Sequence, residues 1–226
     1  GGSTNTSFPL KPSFSQEELN VIVEEAHKFG KHVAAHCHNS ESMVRSLKAG
    51  VDTIIHGVFK ESDGTNKYRE DVVELILKNN TFVNPTLAPG MMRVKIMENK
   101  KNEGNFSESD QEEMDKVLFE HEYRMECFNK MSAGSDSAWG AYEMGNFFLD
   151  IEGHVAGGQS PMEAIKSATS VASQSCWIDD SIGSIEIGKL ADMIVLDESP
   201  VNQIENLRTI SEVIKDGEFV DRNNLL

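Results

Sequence analysis

The sequence predicts an α/β protein built on a parallel sheet. Two observations predict it. Segments with apolar residues at helical spacing alternate with short buried-looking strands from residue 15 to residue 134. The strand segments are continuous apolar runs rather than alternating ones, as strands covered on both faces read. Crossovers between parallel strands of one sheet are almost always right-handed, which limits the topologies open to the chain.

Residues 1–13 are rich in Gly, Ser, Thr, Asn and Pro and read as loop. Ser15 with Glu18 forms a capping box, Leu19, Ile22, Val23 and Ala26 continue a helix, and Gly30 ends it. Residues 32–36 read as a buried strand. Ser40 to Ala49 is a helix stopped by Gly50, and residues 51–56 are a second strand. Tyr68 to Asn79 is a helix and residues 81–87 a third strand, with Pro85 at its exit. A long polar stretch from Met91 to Asn129 is partly helical, and residues 130–134 read as a fourth strand. Helices follow at 141–157 and 161–175. The chain then changes rhythm: 184–186, 193–196 and 212–214 read as short strands separated by Gly and Asp turns. Four strands cannot close an eight-stranded barrel. They make either an open sheet or half of a barrel.

Composition narrows the partners. The 226 residues carry 21 Lys and Arg against 37 Asp and Glu, a net charge of −16. A nucleic-acid surface needs clustered cations, so nucleic acid is excluded as a partner, and an anionic membrane is disfavoured. No apolar run approaches the roughly 20 residues of a membrane span. The acidic runs at 61–63 and 108–113 read as solvated faces. Three cysteines, Cys37, Cys127 and Cys176, show no CxxC spacing and fit a reducing, cytoplasmic setting. Cys37 reads as a small residue filling a strand position.

Chemistry concentrates at strand ends. His36 and His38 close the first strand, His56 the second and Asp136 the fourth. Active sites of parallel α/β proteins lie at the carboxyl ends of the strands. Imidazoles and carboxylates are the ligands of Zn²⁺, and a metal lowers the pKa of water to near 7. A Ser135 or Ser137 nucleophile is disfavoured, because no G-x-S-x-G elbow is present. The segment 153–158 lacks the Lys and Ser/Thr of a phosphate loop. His154 reads as a helix-surface residue, and His27, His32 and His121 have no strand-end placement. Arg93 either meets a substrate carboxylate or is an exposed helix-start arginine.

These residues carry a resemblance. The segments 34–38 (AAHCH), 50–57 (GVDTIIHG), 133–137 (AGSDS), 160–165 (SPMEAI) with Ala168-Thr169, and 182–196 (IGSIEIGKLADMIVL) resemble the metal-dependent amidohydrolase superfamily. The closest likeness is to its imidazolonepropionase-like and prolidase-like branch, which includes zinc carboxypeptidases. The resemblance covers nearly the whole chain. It implies the C-terminal half of a (β/α)₈ TIM-like barrel, with residues 1–181 supplying strands five to eight and residues 182–226 a C-terminal β appendage, part of a small β-sandwich.

The resemblance further implies a metal-dependent hydrolase of C–N bonds in amides or peptide-like substrates. Metal-bound hydroxide would attack the carbonyl. His36, His56 and Asp136 would be metal ligands, and Asp136 the general base. His38 and Asn39 would face substrate or support the ligands. The cofactor would be Zn²⁺, one or two divalent ions in the complete protein. The His-x-His of strand one and the bridging lysine of strand four are missing, which implies a piece of a longer chain. Two further readings follow: a hydrolytic deaminase of the same superfamily, or an inactive fragment. A half-barrel also leaves two open edges and an inner face, assigned to Val33, Ile54, Val83 and Met131. Self-association, or pairing with a missing N-terminal half, is therefore expected.

Overall fold

The computed structural model describes residues 1–2, 6–128, 130–137 and 144–222. It is an α/β structure of two compact units, Gly1–Thr86 with Tyr123–Ser132, and Leu87–Glu122 with Ala133–Leu226.

In the first unit, α1 (Gln16–Lys28) opens on the Ser15–Glu18 capping box, both of whose hydrogen bonds form. β1 (Ala34–His36) leads into α2 (Ser40–Ala49), which stops at Gly50 with φ 86°. β2 (Thr53–Ile55), α3 (Glu70–Asn79) and β3 (Phe82–Asn84) complete the alternation. The sheet is parallel in the order β1-β2-β3, and Ala35, Ile54 and Val83 are in register across it. The expected fourth strand is reduced to a parallel bridge between Val83 and Met131. Val83 N–H donates to Lys130 O and Ser132 N–H donates to Val83 O, but Ala133 N–H turns to Ser167 O and the ladder ends there.

The face assignment needs correction. Ile54 and Val83 are fully buried, and Met131 nearly so. Alternation puts Ala34, Thr53, Ile55, Phe82 and Asn84 on the side of His36, and all of these but the buried Thr53 are half-buried or exposed. The open face is thus one residue out of step from the assigned set.

In the second unit, the stretch expected to be partly helical is two long helices, α4 (Ala88–Asn102) and α5 (Glu108–Cys127); the last residues of α5 belong to the first unit. Gly90 lets them approach: a Cβ there would collide with Nε2 of His121. α6 (Phe148–Ala156) starts later than expected, and residues 141–143 of the expected helix lie outside the described residues. The expected helix 161–175 is two, α7 (Pro161–Ala168) and α8 (Ser170–Ser175), broken at Thr169 with φ −124° and ψ −92°. β4 (Met193–Leu196), β5 (Ile210–Lys215) and β6 (Glu218–Phe219) form an antiparallel sheet in that order. Residues 184–186 form no strand. No described helix is long and apolar enough to cross a membrane.

Candidate metal centre

β1 and β2 carry the site. His36 is the last residue of β1, and His56 follows β2 directly. Parallel pairing sets His36 opposite Ile55, so the two imidazoles arrive at the same end of neighbouring strands. His38 lies two residues beyond β1. One nitrogen from each of His36, His38 and His56 falls within 4.8 Å of the others, the group of possible metal ligands found among the described residues. Nε2 of His56 lies 3.0 Å from Nδ1 of His36. The ring centroids are 4.3–4.6 Å apart, with His38 stacked on His56 at 26°.

The site favours neutral imidazoles. Burial, then the neighbouring His36, pulls the His38 pKa down to about 4. Burial, then His38 and His36, pulls that of His56 down to about 3. Neutral rings keep a lone pair for a metal at pH 7.

Asp136 lies in the second unit, exposed, with a left-handed backbone at φ 48°. Asn39 is the N-cap of α2: its Oδ1 accepts the Ser42 N–H at 2.7 Å and its Nδ2 donates to Pro9 O at 2.6 Å. Cys37 is fully buried, and burial pushes its thiol up to about 11. Arg93 pairs with Glu113 at 3.0 Å. His154 is fully buried, not on the surface as expected: α6 is buried at every residue from Leu149 to His154, polar ones included, and His154 Nδ1 meets Gln159 Oε1 at 3.0 Å.

Two residues at the site escaped the sequence reading. Thr86 Oγ1 lies 2.7 Å from Nδ1 of His56. Arg124 Nη1 donates to Pro85 O at 2.8 Å and to His56 O at 3.3 Å. Thr86 stands in the segment Asn84-Pro85-Thr86, where a polar residue at a strand exit was a usable signal. Arg124 lies in a charged helix and gave none.

The amidohydrolase family model matches residues 3–220. The chain belongs to the amidohydrolase family. An ochratoxinase of Aspergillus niger is 29% identical over 219 residues, covering 93% of this chain and 42% of that protein. Among solved structures, a Xaa-Pro dipeptidase with methionine in its active site matches with a TM-score of 0.74 and 31% identity, over 93% of this chain and 50% of that one. A phenylurea hydrolase B matches with a TM-score of 0.71 and 26% identity, over 93% and 48%. This amidohydrolase chain therefore spans about half the length of the relatives it matches.

The three histidines fit a metal. Ligand nitrogens on one tetrahedral Zn²⁺ stand roughly 3.3 Å apart, given bonds of about 2.0–2.1 Å. The 3.0 Å approach of His56 to His36 is close to that, and the group has three nitrogen donors.

Proposed function

We propose that this chain supplies part of the active site of a metal-dependent hydrolase of C–N bonds, acting on small amide or peptide-like molecules. The observation that carries the reading is the convergence of His36, His38 and His56 at the carboxyl ends of paired parallel strands. Family membership supports it. So do the names of the similar proteins, since a dipeptidase and a phenylurea hydrolase both cleave C–N bonds. The half-barrel reading, with residues 182–226 as an appendage, is supported by the parallel order β1-β2-β3 and the separate antiparallel sheet of the tail.

His36 and His56 would hold the metal, with His38 close enough to join them or to face substrate. Zinc, the ion proposed here, polarises a carbonyl and makes water a nucleophile at neutral pH. Thr86 orients His56 by occupying Nδ1, which leaves Nε2 for the centre. Asp136 is proposed as the proton carrier, taking a proton on a carboxylate oxygen and returning it to the leaving nitrogen. Its support is the likeness of the Ala133–Ser137 segment to the family motif, together with the exposure of its carboxylate. Asn39 holds the start of α2 behind His38.

The test is metal analysis of the reconstituted chain, with amine release from a panel of dipeptides and N-acyl amino acids. Stoichiometric zinc with amine release supports the reading. Ammonia release from amino-heterocycles instead would make the chain a deaminase. Neither zinc nor turnover would overturn the assignment for this chain.

A further inference from the structure

Two strand exits in the first unit are bent into a conformation that L-residues rarely adopt. His56 has φ 70°, Gly57 φ 60° and Thr86 φ 47°. A non-glycine residue so placed is strained and persists only where its surroundings hold it. One side chain bonds both exits. Arg124, in the last turn of α5, donates from Nη1 to the carbonyl of His56, after β2, and to that of Pro85, after β3. The side chains beside these carbonyls also meet: Thr86, the residue after Pro85, has its Oγ1 2.7 Å from Nδ1 of His56.

We propose that Arg124 is a positioning residue for the metal centre: by bridging the carbonyls of His56 and Pro85 it keeps Thr86 Oγ1 against His56 Nδ1, and so fixes the imidazole with Nε2 toward His36. The proposal rests on the reading of the three histidines as a metal site. An imidazole offers a lone pair at Nε2 only when its proton is on Nδ1. Thr86 Oγ1 accepts that proton's hydrogen bond, and Arg124 keeps the acceptor in place.

Charge and position predict opposite signs. A guanidinium near a cation site opposes binding of the cation, so removing its charge alone would strengthen binding. Losing the clamp would weaken it, as loss of groups that orient metal ligands typically does by 10–100-fold.

The experiment compares the wild-type chain with Arg124→Met, Arg124→Gln and Thr86→Val, each checked for folding by circular dichroism. Cobalt(II) affinity is measured by titration, and the His56 ring nitrogens are followed by long-range ¹H–¹⁵N spectra of the cation-free protein. The expected result is a cobalt affinity at least tenfold weaker in a folded Arg124 variant. In the same variant the His56 nitrogens should move from a single Nδ1-protonated pattern toward an average of both tautomers, with a like shift in Thr86→Val. Cobalt affinity equal to or above the wild type's in either folded Arg124 variant overturns the proposal. Unmoved His56 nitrogens also overturn it. If the wild type binds no cobalt yet the nitrogens move in the variants, the clamp stands and the metal reading falls.

Discussion

Asp150 accepts the backbone N–H of Gly134 at 2.8 Å through Oδ2, while its Oδ1 accepts those of Leu87 and Ala88 at 2.6 and 3.0 Å. The carboxylate is fully buried, and it ties the start of α4 to the segment that leads into Asp136. Replacing Asp150 by Ala strands these donors, Leu87 and Ala88 in full burial, and should cost about 3 kcal/mol. Asp150→Asn keeps one acceptor but turns an amide N–H₂ toward a donor, so it should recover only part of the loss. Urea unfolding curves of the three proteins check this; a wild-type midpoint for Asp150→Ala would refute it.

Removing ligands should weaken metal binding. His36→Ala and His56→Ala should each reduce zinc affinity by more than tenfold, because each removes one nitrogen of a three-donor group. Competition titration with a chromophoric chelator gives the numbers. Equal affinity in both variants would place the metal elsewhere.

Acid should destabilise the fold through the same residues. The pKa values of His38 and His56 in the folded chain, about 4 and about 3, lie below the value of about 6.5 for a free histidine. Between those limits the unfolded chain takes up protons that the folded chain refuses. Stability due to these groups is therefore complete above about pH 6.5 and falls as pH drops toward 4 and then 3. Denaturation midpoints at pH 7, 6, 5 and 4 should fall in the wild type and fall less steeply in His56→Gln. Parallel profiles for the two proteins would contradict the assignment.

Thiol reactivity should be split. Cys176 is exposed, whereas Cys37 and Cys127 are buried and burial raises both thiols to about 11. A maleimide added to native protein should label Cys176 within minutes and the other two only on unfolding. Peptide mass spectrometry identifies the sites, and rapid labelling of Cys37 would show the β1 exit to be open.

Gly57 should tolerate no side chain. Its φ is 60°, and a Cβ would stand 3.1 Å from both Phe128 Cζ and Val83 Cγ1. Gly57→Ala should destabilise the chain by about 1–3 kcal/mol and weaken metal binding, since the strain falls on the residue after His56. Thermal melts and metal titration of the same sample would show both effects, and a melt matching the wild type would count against the packing argument.

Much of this was readable from the sequence where local signals agreed with packing. The capping box at Ser15, the stops at Gly30 and Gly50, and the apolar runs before His36 and His56 each acted over a few residues, and those elements formed close to where they were expected. The convergence of His36 with His56 followed from strand-end placement. The failures share a cause in partners distant along the chain. Lys130–Gly134 has strand composition, but Ala133 pairs with Ser167, so the ladder stops. His154 sits in a segment with charged neighbours, and only the packing of α6 shows that it is buried. Ile54 and Val83 were placed on the wrong face because period-two reading fixes alternation but not which set is covered. Arg124 works across 68 and 39 residues, which no local pattern encodes.

The register of the parallel sheet bears on how the chain folds. Ala34 pairs with Thr53 and Thr53 with Phe82, so the partners are nineteen and then twenty-nine residues apart. Closing loops of that length costs little more entropy than closing one half as long, about 0.6 kcal/mol per doubling. His36 and His56 thus meet as soon as β1 docks on β2, through one short crossover, whereas the bonds from Arg124 must wait for a segment made much later. The chain is made with His36 and His56 ahead of Arg124, so the contact between the histidines needs only residues already synthesised when the two bonds from Arg124 cannot yet form.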